Sequence, residues 1–167
     1  DDKETYKKAY FAGGCFWCME ESFDKVKGVI KSISGYSGGH VKNPTYKQVI
    51  YKDTGHVEAI AVYYDPKLTS YGDLLKIFWV NIDPFDAKGQ FCDKGKSYRS
   101  VAFHQNVKQK KLIEESIINI EKKFNKKKIV TLVWEFEKFY PAEDQHQNYY
   151  QNNFLRYLAY KSGCQRE

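Results

Sequence analysis

Two spacings of apolar residues alternate along this chain. Ala9-Tyr10-Phe11-Ala12 is a short unbroken run, the pattern of a buried strand, and behind it Phe16, Met19, Phe23 and Val26 recur at helical spacing. Lys27-Gly28 is a helix stop, and Val29 to Ile33 begins a second strand. His56 to Tyr64 is the clearest strand: Val57, Ala59, Ala61 and Tyr63 face one way, and Glu58, Ile60, Val62 and Tyr64 the other. Both faces are largely apolar, so this strand is expected to be central and covered on both sides. Ser70 to Asp73 resembles a capping box ahead of a helix with Leu75, Phe78, Trp79 and Ile82 on one face. Asn106 is placed to cap a long helix striped by Ile113, Ile117, Ile120 and Phe124. Strands at Val101-Ala102-Phe103 and Ile129 to Phe136, and a polar helix from Ala142 to Tyr150, complete the pattern. The order β-α-β-(loop)-β-α-(loop)-β-α-β-α predicts an α+β fold, a two-layer α/β sandwich with a mixed sheet and a ferredoxin-like core.

Two loops interrupt this pattern. Gly35 to Tyr46 is rich in glycine and turn residues and reads as a shaped surface loop carrying Tyr36 and Tyr46. Asp83 to Lys96 is long, contains Cys92 and Asp93, and has the length typical of functional loops. His146, in the polar stretch, reads as a surface histidine.

At 167 residues the chain is expected to be a single catalytic domain, residues 1–167, with a mobile C-terminal tail from about residue 155. The formal charge of +6 does not by itself indicate nucleic acid, because the lysines are spread over solvated faces apart from Lys126-Lys127-Lys128. No apolar run approaches the roughly 18 residues that span a bilayer, so a soluble monomer is expected, without nucleic-acid or membrane partners. The chain begins at Asp1. Its expected compartment is the cytoplasm, or the periplasm if a signal peptide has been removed.

The chemistry gathers on four cysteines, at 15, 18, 92 and 164. They are too few and too scattered for a disulfide framework, and they lack paired zinc-ligand spacing, so no bound metal or cofactor is expected. Gly13-Gly14-Cys15 turns a strand into a helix, where free backbone N–H groups favour a thiolate; Cys15 is therefore expected to be a nucleophile with a lowered pKa. Glu58 is the carboxylate on an apolar strand face, and burial there would raise its pKa and make it a proton donor. A second thiol would rescue an oxidised Cys15. The competing readings are a zinc-binding module and a thioredoxin-type oxidoreductase built on Cys15-x-x-Cys18.

Gly14-Cys15-Phe16-Trp17 with Glu20, Gly35-Tyr36-Ser37-Gly38-Gly39, Asn43-Pro44-Thr45-Tyr46, Gly55-His56-Val57-Glu58, Gln90-Phe91-Cys92-Asp93, Tyr98-Arg99-Ser100 and Ala142-Glu143-Asp144 with His146-Gln147 resemble, in order, the peptide methionine sulfoxide reductase A family. The resemblance covers nearly the whole chain. It implies that Cys15 attacks the sulfur of methionine-S-sulfoxide, protein-bound or free, while Glu58 protonates the oxygen. Tyr46 and Tyr98 would bind that oxygen, Asp93 would reach it through water, and Phe16 and Trp17 would enclose the methyl group. The resulting sulfenic acid would be resolved as a disulfide and recycled by thioredoxin as external reductant. Cys164 is favoured as the resolving thiol for its place in the tail. Cys18 stands where many relatives carry glycine and, like Cys92, remains an alternative; a Cys15–Cys18 spacing of roughly 5–6 Å on a helix is within disulfide reach.

Overall fold

The strand that alternation marks most clearly lies near the middle of a six-stranded mixed sheet. The computed structural model describes residues 5–164 and 166. In chain order it contains β1 (Lys7–Gly13), α1 (Phe16–Asp24), β2 (Val29–Ser37), α2 (Tyr46–Tyr51), β3 (Val57–Tyr64), α3 (Tyr71–Val80), β4 (Gly89–Gln90), β5 (Asp93–Lys94), β6 (Ser100–His104), α4 (Val107–Lys123), β7 (Leu132–Glu135), β8 (Phe139–Pro141), α5 (Tyr149–Asn152) and α6 (Phe154–Gly163). The main sheet runs β7-β6-β1-β3-β2-β8, while β4 and β5 form a separate small hairpin. Every pairing in the main sheet is antiparallel except β6 with β7. The crossover β1-α1-β2 leaves a gap that β3 fills, and α3 returns the chain to β6. This is the ferredoxin-like βαββαβ connectivity, extended by a strand at each edge.

The helices cover one face. Phe11 of β1 is fully buried and stacks against Phe23, Phe78 and Tyr71 at centroid distances of 5.3, 5.1 and 5.7 Å. Ile60, Val62, Leu74 and Ile113 close the same cluster. Local chemistry sets the helix starts: Ser70 accepts from Asp73 N at 3.1 Å, and Asn106 accepts from Gln109 N at 2.9 Å.

The opposite face is covered without a second helical layer. Glu135 ends β7 at one edge and Phe139 begins β8 at the other, a span of at most about 14 Å of chain. A flat sheet of this order would need about 24 Å at ~4.8 Å per strand. The sheet therefore curls into a half-barrel, and the linking segment lays its rings inside the curl. Phe136 stacks on Tyr10 at 3.8 Å, over Val57, Ala59, Ala61 and Val101. The curl brings Trp134 so close to Gly38 that any side chain at Gly38 would collide with the indole. Thus β3 is covered on both sides, as its pattern predicts.

Several boundaries differ from the sequence reading. Strand β2 continues through Tyr36, which is wholly buried, so the expected surface loop begins only after Ser37. Tyr46 opens α2, started by a reciprocal box in which Gln48 N donates to Thr45 Oγ1 at 3.2 Å and Thr45 N to Gln48 Oε1 at 2.9 Å. The polar stretch from Ala142 contains one short 3-10 turn and α5 instead of a continuous helix. It is tied down by Gln147, whose amide exchanges hydrogen bonds with Ser34 N and O at 2.9 and 2.8 Å.

Candidate active site

Cys15 is the second of the two residues between β1 and α1, at the N-cap of the helix. Gly14 makes that turn with φ +84°, and a Cβ there would also collide with Gln90; Gly13 likewise has Met19 and Ile82 against it. The turn aims Cys15 at the second residue of the central strand, Glu58. Glu58 Oε1 accepts from Phe16 N at 3.3 Å, which fixes the carboxyl against the helix start, while Oε2 has no hydrogen-bond partner among the described residues. Only 1% of Glu58 is exposed. Burial, opposed by the Phe16 N–H and reinforced by the Asp93 charge, pushes its pKa up to about 8. Burial thus favours the protonated form of this carboxyl well above the ordinary carboxylate range.

Cys15 departs from expectation in one respect. Burial pushes its thiol up, and the hydrogen bond with Cys18 and the charges of Glu58 and Asp93 add to that rise. The helix start does not offset this, because its first N–H, that of Phe16, is directed to Glu58. The two buried thiols interact: Cys18, beside Cys15, is lowered by that contact and, against the effect of burial, by the Arg166 guanidinium.

The remaining residues gather around this pair. Tyr98 lies beside both Glu58 and Tyr46, and burial with the Glu58 charge raises the phenols of both tyrosines, Tyr46 to about 12. Both hydroxyls therefore stay protonated and able to donate. Phe16 is buried against Tyr36 and Tyr46 at centroid distances of 5.9 and 6.3 Å, and half-buried Trp17 stacks on Tyr149 at 3.9 Å. Asp93, on β5, accepts the hydroxyl of Tyr160 from α6. Cys92, beside Asp93, is exposed and is bonded to Cys164 at the end of α6. The cysteines therefore fall into two pairs, Cys15 with Cys18 inside the site and Cys92 with Cys164 at its rim. No cluster that could hold a metal occurs among the described residues.

Two contributors escaped the sequence reading. His146 is buried, 6% exposed, with its ring 4.3 Å from Tyr46 and 5.6 Å from Phe16, so it belongs to the site and not to the surface. Its neighbour Glu143 accepts from Tyr36 Oη at 2.9 Å and from Tyr46 N at 3.1 Å, anchoring both tyrosines. The motif Ala142-Glu143-Asp144 with His146 contained that signal, but its long-range partners are more than 95 residues away in sequence.

A helix-start cysteine beside a buried carboxyl and a cluster of packed rings, on an α+β half-barrel, is the arrangement of a cysteine-based oxidoreductase. Residues 7–167 match the family model described as Peptide methionine sulfoxide reductase. The Peptide methionine sulfoxide reductase MsrA of Listeria monocytogenes serotype 4b is 48% identical over 161 residues, covering 95% of this chain and 90% of that protein. Mxr1 from Saccharomyces cerevisiae in reduced form superposes with a TM-score of 0.83 at 29% identity, over 89% of this chain and 86% of that one. Its complex with Trx2 shares the fold at a TM-score of 0.60 and 23% identity, covering 87% and 85% of the two chains. The chain belongs to the peptide methionine sulfoxide reductase family and is an oxidoreductase of the peptide-methionine (S)-S-oxide reductase type.

Proposed function

We propose that this enzyme reduces methionine-S-sulfoxide through a Cys15 sulfenic acid, with Glu58 as the acid. The observation that supports this most strongly is Glu58 itself, one oxygen tied to the Phe16 N–H and the other buried and unpartnered beside Cys15. Phe16 and Trp17 would hold the substrate methyl group, and the Tyr46 and Tyr98 hydroxyls, with Asp93 through water, would hold the oxygen. An apolar slot on one side of a chiral sulfur and donors on the other admit one epimer in the attacking geometry.

In this reading Cys18 takes the Cys15 proton across their shared hydrogen bond. The Cys15 thiolate attacks the sulfoxide sulfur, Glu58 gives its proton to the oxygen, and the S–O bond breaks. The protonated oxygen passes from the methionine sulfur to the Cys15 sulfur as the two sulfurs part, so methionine leaves with two electrons from Cys15, which becomes a sulfenic acid, and Glu58 is left as a carboxylate. The Cys18 thiol then attacks that sulfur and releases water. Contact between the two thiols supports Cys18 for this step over Cys164, whose sulfur is bonded to Cys92. Exchange with the Cys92/Cys164 dithiol restores Cys15 and Cys18 and leaves a rim disulfide for thioredoxin, the class of partner seen with yeast Mxr1. The test is one reductant-free turnover by Cys18→Ser. Sulfenic acid persisting after methionine forms supports Cys18 as the resolving thiol, and rapid disulfide formation returns the role to Cys164.

A further inference from the structure

We propose that the Cys92–Cys164 disulfide latches α6 over the active site and closes this enzyme to substrate until a dithiol reductant releases it. The proposal rests on the reading of Cys15 and Asp93 as substrate-contacting groups. Two adjacent residues of the β4–β5 hairpin hold one turn of the tail: Cys92 bonds covalently to Cys164, and Asp93 accepts from Tyr160, four residues earlier. At ~1.5 Å per residue those two grips are about 6 Å apart along the helix. The second grip occupies the carboxylate that substrate oxygen requires.

The rest of α6 closes the site from the same side. Tyr157, 2% exposed, donates to Glu21 and lies on Cys18, while Tyr160 meets the Trp17 indole edge-on at 6.2 Å. Beyond Cys164, the Arg166 guanidinium is buried beneath the catalytic turn, donating to Gly13 O at 2.6 Å and covering the Phe91 ring at 4.6 Å. Cys15 is left 4% exposed although its own thiol and that of Cys18 are free. Closure is therefore separate from oxidation of the catalytic pair.

Apart from these contacts and a Lys161–Glu21 ion pair at 3.4 Å, little else holds α6. Tyr157 is its one fully buried residue, whereas Phe154, Leu155 and Leu158 are 59%, 80% and 44% exposed. A helix with so little buried surface opens readily once its covalent tie is cut. Cutting the tie takes two electrons and two protons from the external dithiol, which leaves as its own disulfide. A spent enzyme thus stays closed, and Cys15 is protected from a further round of oxidation while no reductant is at hand.

The test compares iodoacetamide alkylation of Cys15 and amide exchange of residues 154–163 in two preparations of the full chain. One is fully reduced. The other carries the Cys92–Cys164 bond with Cys15 free, verified by peptide mapping. The latch predicts alkylation at least about tenfold slower and slower exchange in the oxidised form, a factor within reach of a charge-assisted hydrogen bond joined to a covalent tether. With Cys15 likewise verified free by peptide mapping, Cys92→Ser and Cys164→Ser should each react at the reduced rate, and Tyr160→Phe carrying the Cys92–Cys164 bond at an intermediate rate. Equal alkylation of oxidised and reduced wild type, or failure of the bond to form under oxidation, would overturn the latch. The underlying reading fails on a different result, the absence of S-epimer turnover by reduced enzyme.

Discussion

The helix-covered core and the active site are buried to the same depth, yet they treat polar groups in opposite ways. In and around the core, Tyr71 Oη donates to Phe103 O at 2.9 Å and Trp79 Nε1 to Ser116 at 2.9 Å. At the site, Glu58 Oε2, Trp17 Nε1, both ring nitrogens of His146 and Arg166 Nη1 are buried without partners among the described residues. Unpartnered buried polar groups destabilise a fold, typically by ~1–3 kcal/mol each. Their confinement to one corner marks where stability is given up for chemistry. The core holds the shape, and the site retains unused hydrogen-bonding capacity for substrate.

The contrast can be broken most decisively at Cys15. Cys15→Ser should form no methionine above background while its unfolding midpoint stays near wild type, because the hydroxyl is close in size to the thiol. A core change should do the reverse. Phe78→Ala removes a ring stacked on Phe11 and should cost ~3–5 kcal/mol in urea unfolding, with the first-turnover rate of the folded fraction largely kept.

Glu58 links the two properties through pH. Its folded pKa of about 8 lies above the ordinary 4.5, so the buried neutral form contributes full stability below pH 4.5. That contribution is lost as pH rises toward about 8, while the unfolded carboxyl ionises and the folded one does not. Wild-type stability should therefore decline across that window by on the order of 2–4 kcal/mol, and Glu58→Gln should decline much less. Parallel urea curves at the two ends of the window measure this difference.

The smallest effects sharpen the comparison. Tyr71→Phe leaves Phe103 O without its donor and should cost ~1 kcal/mol, whereas His146→Phe loses no hydrogen bond and should change stability by less than about 0.5 kcal/mol. Thermal melts of the two variants, side by side, would show whether the site's polar groups are structural after all.

Much of this division is written in local pattern. The apolar run before Gly13-Gly14 and the helical spacing after it locate Cys15, and the lone carboxylate on an apolar face locates Glu58, because strand and helix periods are short-range signals. What depends on distant contacts is not legible. His146 sits in a run of polar residues, and its burial comes from Phe16 and Tyr46 across the fold. Strand β8 has three residues, too few for a period, and exists because the sheet curls. The Cys15 thiol is raised chiefly by its burial, with Cys18 and Glu58 brought beside it by the fold, and the helix start that the sequence shows carries none of this. Pairing of Cys92 with Cys164, 72 residues apart, is a matter of tertiary placement that spacing does not encode.

The central claim, that Glu58 donates the proton as Cys15 attacks one sulfoxide epimer, is most directly tested by a reductant-free single turnover. Fully reduced wild type and Glu58→Gln would each be mixed with the separate S and R epimers of a blocked methionine sulfoxide, below and above pH ~8, and methionine counted over time. The account predicts methionine from the S epimer alone, at a wild-type rate that falls as pH rises through about 8. The variant should be slower by ~10²–10⁴-fold, without that fall. A Glu58→Gln rate equal to wild type, or equal use of both epimers, would contradict it.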